Sequence, residues 1–384
     1  MKKIIYIKPS PLTRHFAKSY YFDDFERRGI AVEYWDVSRL YAHDVHAGEQ
    51  TRPDIAVSFN CKREVRERIA AEAGKETVIV EMFTLGWDFL WLHRALTKHR
   101  CYIALFGIGH LPIPARTTSP GGMIARLCDG GGAKFLRRFL NKLVLAAMAA
   151  GMLKGFDVVF AAGRSALGKH GGESEVVGIN YYDYDAYLSI RDGKDRIIEG
   201  RYAVFLDENL PYHPDWSLLN IKTVEPESYF RGINAYFDLI EKRFGVRVVI
   251  AAHPSANYAE SRFAGREIIK YKTNELVRDS EFVFAHATTS ISFPVLYGKP
   301  LIFLYNDQLQ RLGSQSILPW IVNFSDTLGS GLCNLDSIHS VEQLSIPCVN
   351  AGKYEQYKYD YLTSPESEDK LTKEVILDFL EAAG

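Results

Sequence analysis

Residues 281–304 read EFVFAHATTSISFPVLYGKPLIFL. Two short apolar runs, 282–285 and 300–304, bracket a stretch with helical patterning over 290–297. A polar joint, His286-Ala287-Thr288-Thr289-Ser290, follows the first run. Strand, helix and strand packed into so short a span read as one parallel β-α-β unit. The alternation extends outward on both sides. Upstream, apolar runs at 202–206 and 246–251 enclose a helical pattern over 227–243, and a last helix suits 367–380. In the first half, strands are expected over 3–8, 32–36, 54–59, 77–82, 102–107 and 157–161. Helices are expected over 18–28, 62–73, 87–99 and 134–154. This order predicts an α/β protein with two Rossmann-like domains, their parallel sheets facing a cleft. Residues 1–190 form the first domain, 200–365 the second, and 366–384 a C-terminal helix. The polar run Arg191-Asp192-Gly193-Lys194-Asp195 is the expected linker.

Composition narrows the function. A chain of 384 residues, 47% apolar and 24% charged, is an ordinary globular sequence long enough for two domains. With 46 Lys+Arg against 47 Asp+Glu, it lacks the basic excess of a nucleic-acid binder. Five cysteines without a CxxC argue against a disulfide framework or a structural zinc site and point to a reducing, cytoplasmic setting. The longest strongly apolar run, 143–153, is half of what a bilayer span needs. Charge is uneven, however. Residues 101–170 hold nine Lys/Arg against Asp129 and Asp157. That basic segment reads as a core helix with a solvated basic end, or as a surface for an anionic acceptor or for lipid headgroups at the inner face of a membrane. The Gly-rich stretches at 120–122 and 129–132 read as a mobile loop. They lack the Gly-Lys-Ser/Thr of a phosphate loop.

Open parallel sheets bind ligands beyond the carboxyl ends of their strands. In the second half those ends are polar. The run 202–206 is followed by Asp207-Glu208-Asn209, 246–251 by Ala252-His253-Pro254-Ser255, and 282–285 by Thr288, Thr289 and Ser290 at a helix start. Free N–H groups and the helix dipole favour an anion at that start, and an ordinary N-cap is the plainer reading. His253 can donate to a phosphate. Asp207 and Glu208 alternate in direction if the extended geometry continues, so at most one of them faces the cleft. In the first half Glu81 closes the run 77–82 and is an acid/base candidate, the plainer reading being a buried structural Glu. The triplet Asp183-Tyr184-Asp185 matches a metal-holding DxD, a pattern short enough to arise by chance.

The His-Pro after one strand and the hydroxyl cluster after a later one resemble GT-B glycosyltransferases. More narrowly, His286-Ala287-Thr288-Thr289-Ser290-Ile291-Ser292-Phe293-Pro294 and Phe205-Leu206-Asp207-Glu208-Asn209-Leu210-Pro211-Tyr212-His213-Pro214-Asp215 resemble retaining β-Kdo transferases of bacterial surface polysaccharide assembly. The resemblance spans about residues 202–305, and the hydroxyl cluster departs from the family's Ser-Ser in being Thr-Thr-Ser. It implies a CMP-activated ulosonic acid as donor and a glycan or lipid-linked glycan as acceptor, with no metal or other cofactor. His253, Pro254, Thr288, Thr289 and Ser290 would hold the CMP phosphate. Asp207 would be the nucleophile, with Glu208 and Glu81 as further catalytic candidates. The rival expectations are a transferase or epimerase using a UDP-sugar, a transferase using a CDP-alcohol, and a non-catalytic glycan-binding assembly subunit.

Overall fold

The computed structural model describes residues 1–41, 52–83, 86–109, 111–114, 131–169, 174–219 and 221–382. The chain divides into two compact units. Unit 1 comprises Met1–Gly109, Thr117–Asn180 and Thr363–Gly384, and unit 2 comprises His110–Arg116 and Tyr181–Leu362.

Unit 1 is built on a seven-stranded sheet of β1 (Lys3–Lys8), β2 (Ala31–Asp36), β3 (Ala56–Ser58), β4 (Thr77–Glu81), β5 (Tyr102–Gly107), β6 (Val158–Ala162) and β7 (Glu175–Ile179), in the order β3-β2-β1-β4-β5-β6-β7. Unit 2 has a six-stranded sheet of β8 (Tyr202–Leu206), β9 (Arg247–Ala252), β10 (Ile268–Lys270), β11 (Val283–Ala285), β12 (Leu301–Tyr305) and β13 (Gly331–Asn334), in the order β10-β9-β8-β11-β12-β13. Every pairing is parallel.

The central strands are apolar without alternation because helices cover both faces. All five residues of β6 and of β8 are buried. The helix Pro226–Phe244 shows how the covering layer is specified. Glu225 accepts from the N–H groups of Glu227 and Ser228, Pro226 occupies the first turn, and Gly245 ends the helix at φ 63°. Its apolar stripe, Tyr229, Phe230, Ile233, Phe237 and Ile240, packs into the core.

Three strands escape the sequence reading: β7, β10 and β13. All lie at sheet edges, where one side needs no neighbour and the apolar signal is weak. The run 191–195 is a packed turn of unit 2. The Arg278 guanidinium donates to the carbonyls of Ile190 and Asp195, and a Cβ on Gly193 would sit 2.7 Å from Arg278 Nη1. The chain enters unit 2 at Tyr181 and leaves after Leu362, where Tyr181 N donates to Leu362 O at 2.7 Å. The final helix, Thr372–Ala382, returns to unit 1. Lys373 pairs with Asp24 at 3.1 Å, and the terminal amine of Met1 donates to Leu380 O at 2.7 Å. The Gly-rich residues 120–122 and 129–130, with Arg116 and Arg126 of the basic segment, lie outside the described residues.

Candidate functional site

In unit 2 the chain runs from β8 through β9 to β10 on one side, then crosses to β11 on the other. The switch point therefore falls between β8 and β11, where such sheets open a crevice at their carboxyl ends. Asp207, Glu208 and Asn209 leave β8 at this place, all three buried. Asn209 turns the chain at φ 56°, a left-handed conformation that Asn tolerates.

The alternation of side chains sends the two acids apart. Asp207 leans toward β9. Its Oδ1 accepts from Asn209 N at 3.0 Å and its Oδ2 from His253 N at 3.3 Å. The Tyr258 hydroxyl stands 3.0 Å from Oδ2 and 2.9 Å from Asn209 Oδ1, so its single proton is shared between them. Glu208 leans toward β11, where Oε1 accepts from Ala287 N at 3.3 Å. Burial raises Asp207 to about 6 against its hydrogen bonds. Burial, reinforced by the charge of Asp207 and opposed by the Ala287 N–H, raises Glu208 to about 8. At neutral pH the first is ionised and the second keeps its proton.

His253 follows β9. Its Nδ1 accepts from Ser255 N at 3.2 Å and lies 2.8 Å from Ser255 Oγ, which leaves the ring hydrogen of the neutral form on Nε2. Burial lowers its pKa, as do the neighbouring His213 and Lys270. Sequence reasoning quoted His213 only within the stretch 205–215 and gave it no role, though the signal was available: His-Pro occurs twice in the chain, each time after a strand of the second sheet. His213-Pro214-Asp215 repeats the local geometry, with Asp215 N donating to His213 Nδ1 at 3.2 Å. The two rings lie 5.0 Å apart. The site thus holds two imidazoles side by side, each with Nδ1 occupied by its own turn and with Nε2–H as the remaining donor. Pro254 ends the strand beside them, and its carbonyl accepts from Lys270 Nζ at 3.4 Å.

The hydroxyl cluster differs from expectation. No long helix follows β11. Thr289–Ile291 form one 3-10 turn, and Ser292–Leu296 form a helix of five residues. So short an element has little macrodipole to offer an anion. Thr288 is an ordinary N-cap, its Oγ1 accepting from Ser290 N at 3.3 Å. The Thr289 and Ser290 hydroxyls make no hydrogen bond with the described residues, so they are the donors this turn offers. His286 is not at the rim. Its buried ring donates from Nδ1 to Leu304 O at 2.6 Å and accepts at Nε2 from the Tyr229 hydroxyl at 2.9 Å. Burial lowers it to about 4, so the ring is neutral.

Glu81, at the end of β4, is buried in unit 1. Its Oε1 lies 2.6 Å from His93 Nδ1, and His93 Nε2 donates to Lys154 O at 2.7 Å. Burial works against protonation of His93, but the bond to Glu81 prevails and raises its pKa. The Glu81 side chain has no exposed surface. Asp183 and Asp185 lie on the first turn of the helix Tyr182–Ile190. Burial raises Asp183 to about 7 against a hydrogen bond from Ser292. Among the described residues no group of three His, Cys, Asp or Glu is placed to hold a metal ion.

No protein-family model matches the chain, and no curated protein matches it in sequence. Among solved structures, the H444N variant of the wall teichoic acid polymerase TagF superposes with a TM-score of 0.50 at 12% identity, over 99% of this chain and 88% of that one. Acinetobacter baumannii MurG gives 0.46 at 7% identity with both chains fully covered. The Methanocaldococcus jannaschii UDP-GlcNAc 2-epimerase, solved with UDP-GlcNAc and UDP, gives 0.42 at 13% identity, again over both whole chains. The TagF likeness is one of fold, and with the two parallel sheets it identifies the architecture as the two-domain α/β fold of GT-B type.

Proposed function

We propose that the chain is a glycosyltransferase that takes an ulosonic acid from its CMP conjugate and delivers it to a glycan or lipid-linked glycan acceptor. The observation that carries this reading is the constellation at the β8/β11 switch point: two carboxyls whose proton affinities are pushed apart, beside two imidazole N–H donors. The imidazoles suit an anionic donor. His253 and His213 would receive the phosphate or the sugar carboxylate, with the Thr289 and Ser290 hydroxyls as further donors. Asp207, the ionised acid, would attack the anomeric carbon as the bond to the CMP oxygen breaks. The acceptor hydroxyl would then displace it, its oxygen bonding the anomeric carbon and its proton passing to the freed CMP phosphate, two displacements giving retention. For the attack Tyr258 passes its hydrogen bond wholly to Asn209, which is already within 2.9 Å. Glu208 supplies a carboxyl that still holds a proton at neutral pH. No step requires a metal if the N–H donors carry the leaving phosphate.

The fold is equally suited to a UDP-sugar or a CDP-alcohol, so the nucleotide is the point to test. Thermal denaturation with CMP, CDP or UDP separates the three, because a ligand that binds only the folded state raises the midpoint. CMP is expected to give the largest rise, and Asp207→Ala to keep that rise while losing transfer from a CMP-sugar. A rise with UDP alone would overturn the donor. Full transfer by Asp207→Ala would overturn the nucleophile. Glycan binding with no turnover of any nucleotide sugar would favour an assembly subunit.

A further inference from the structure

The helix Gly131–Ala149 docks along one face and exposes large apolar side chains on another. One face docks on unit 1. Asn141 Oδ1 accepts from Trp87 N at 2.8 Å, Arg137 pairs with Asp88, Val144 is buried and Met148 packs on the core. The approach is close enough that a Cβ on Gly86 would meet Asn141 Oδ1 at 2.7 Å. The other face is exposed. Leu136, Phe139 and Leu143, spaced i, i+3, i+7, form a single stripe, and each is about half exposed (54%, 51% and 48%). Met152, just past the helix, is 71% exposed. Arg138 and Lys142, both exposed and one turn apart, run along the flank of the stripe. No Asp or Glu occurs between Asp129 and Asp157.

We propose that this helix lies on an anionic lipid surface, with Leu136, Phe139 and Leu143 in the headgroup–acyl boundary and Arg138 and Lys142 against the headgroups. A second copy of the chain fits less well. Half-exposed side chains of this size offer on the order of 100 Å² each, well short of the ~800 Å² per partner of a stable protein interface. A bare apolar stripe edged by cations and free of acids has the composition of an interfacial helix. No described helix is long and apolar enough to cross a membrane, so the contact is along the surface. The inference does not depend on sugar transfer.

The test is flotation of the 384-residue chain with vesicles of phosphatidylcholine alone or of phosphatidylcholine mixed with phosphatidylglycerol. The protein is expected to float with the anionic vesicles, to be released by high salt, and to stay behind with the neutral ones. The double variant Phe139→Ser, Leu143→Ser should lower partitioning about 100-fold, from the loss of two buried apolar side chains. Arg138→Gln with Lys142→Gln should lower it about 30-fold on the anionic vesicles only. All four positions face away from the docked side, so melting should not change. Absence of flotation, equal flotation on both lipids, or flotation indifferent to these substitutions would overturn the proposal. So would a concentration-dependent dimer that Phe139→Ser, Leu143→Ser abolishes.

Discussion

Replacing Glu208 by Gln should make the protein more stable in alkali than the natural chain, although the residue lies at the centre of the candidate site. Glu208 is buried, makes one hydrogen bond through Oε1, and is raised from the ordinary 4.5 to about 8. The folded state therefore holds a proton that the unfolded chain releases above pH 4.5. Between pH 4.5 and 8 the folded state binds more protons than the unfolded one, so stability falls with rising pH at about 1.4 kcal/mol per unit. The accumulated loss is about 5 kcal/mol by pH 9. Gln keeps the acceptor for the Ala287 N–H and does not titrate. Urea unfolding of both proteins, followed by circular dichroism at intervals from pH 4 to 9, should give curves that coincide near pH 4 and diverge steadily, the variant ending higher. Even half the calculated difference would shift the midpoint visibly. A gap between the curves that is constant with pH would refute the reasoning, since it would mean that Glu208 ionises as freely folded as unfolded. Transfer activity should move the opposite way, because the substitution removes the held proton.

Other outcomes follow from the same contacts. Tyr258→Phe deletes the hydroxyl shared by Asp207 and Asn209 and should cost about 1.5–3 kcal/mol, as for a hydrogen bond to a charged group, read from the urea midpoint. His213→Ala should weaken CMP binding by calorimetry about as much as His253→Ala. If His213→Ala leaves binding untouched, the second imidazole is not part of the anion site. Glu81→Ala breaks a buried pair and should cost about 3 kcal/mol. The raised pKa of His93 makes its contribution complete below its unfolded value near 6.5 and lost as pH climbs through the higher folded value, so this variant's deficit should be larger at pH 5.5 than at pH 9.

The architecture was legible along the chain because central parallel strands are buried on both faces and must be written as unbroken apolar runs, as in 4–7, 202–206 and 282–285. The edge strands β7, β10 and β13 carried no such mark, because half of each needs no apolar partner. The candidate site was legible as a set of polar residues following strands, since a strand that leaves the core must change composition where it meets water. Which of those residues face outward was not. Only the packed structure turns Asp207 toward β9 and Glu208 toward β11, sends His286 to bond Leu304 and Tyr229 in the core, and buries Glu81 against His93. It also brings together His213 and His253, which follow the successive strands β8 and β9 that lie side by side in the sheet. Residue type and local period determined the strands, the helices and the chemistry on offer. Strand order and side-chain direction, which arise from non-local pairing that no stretch of sequence contains, decided which of that chemistry meets at one place and which is sealed away from solvent.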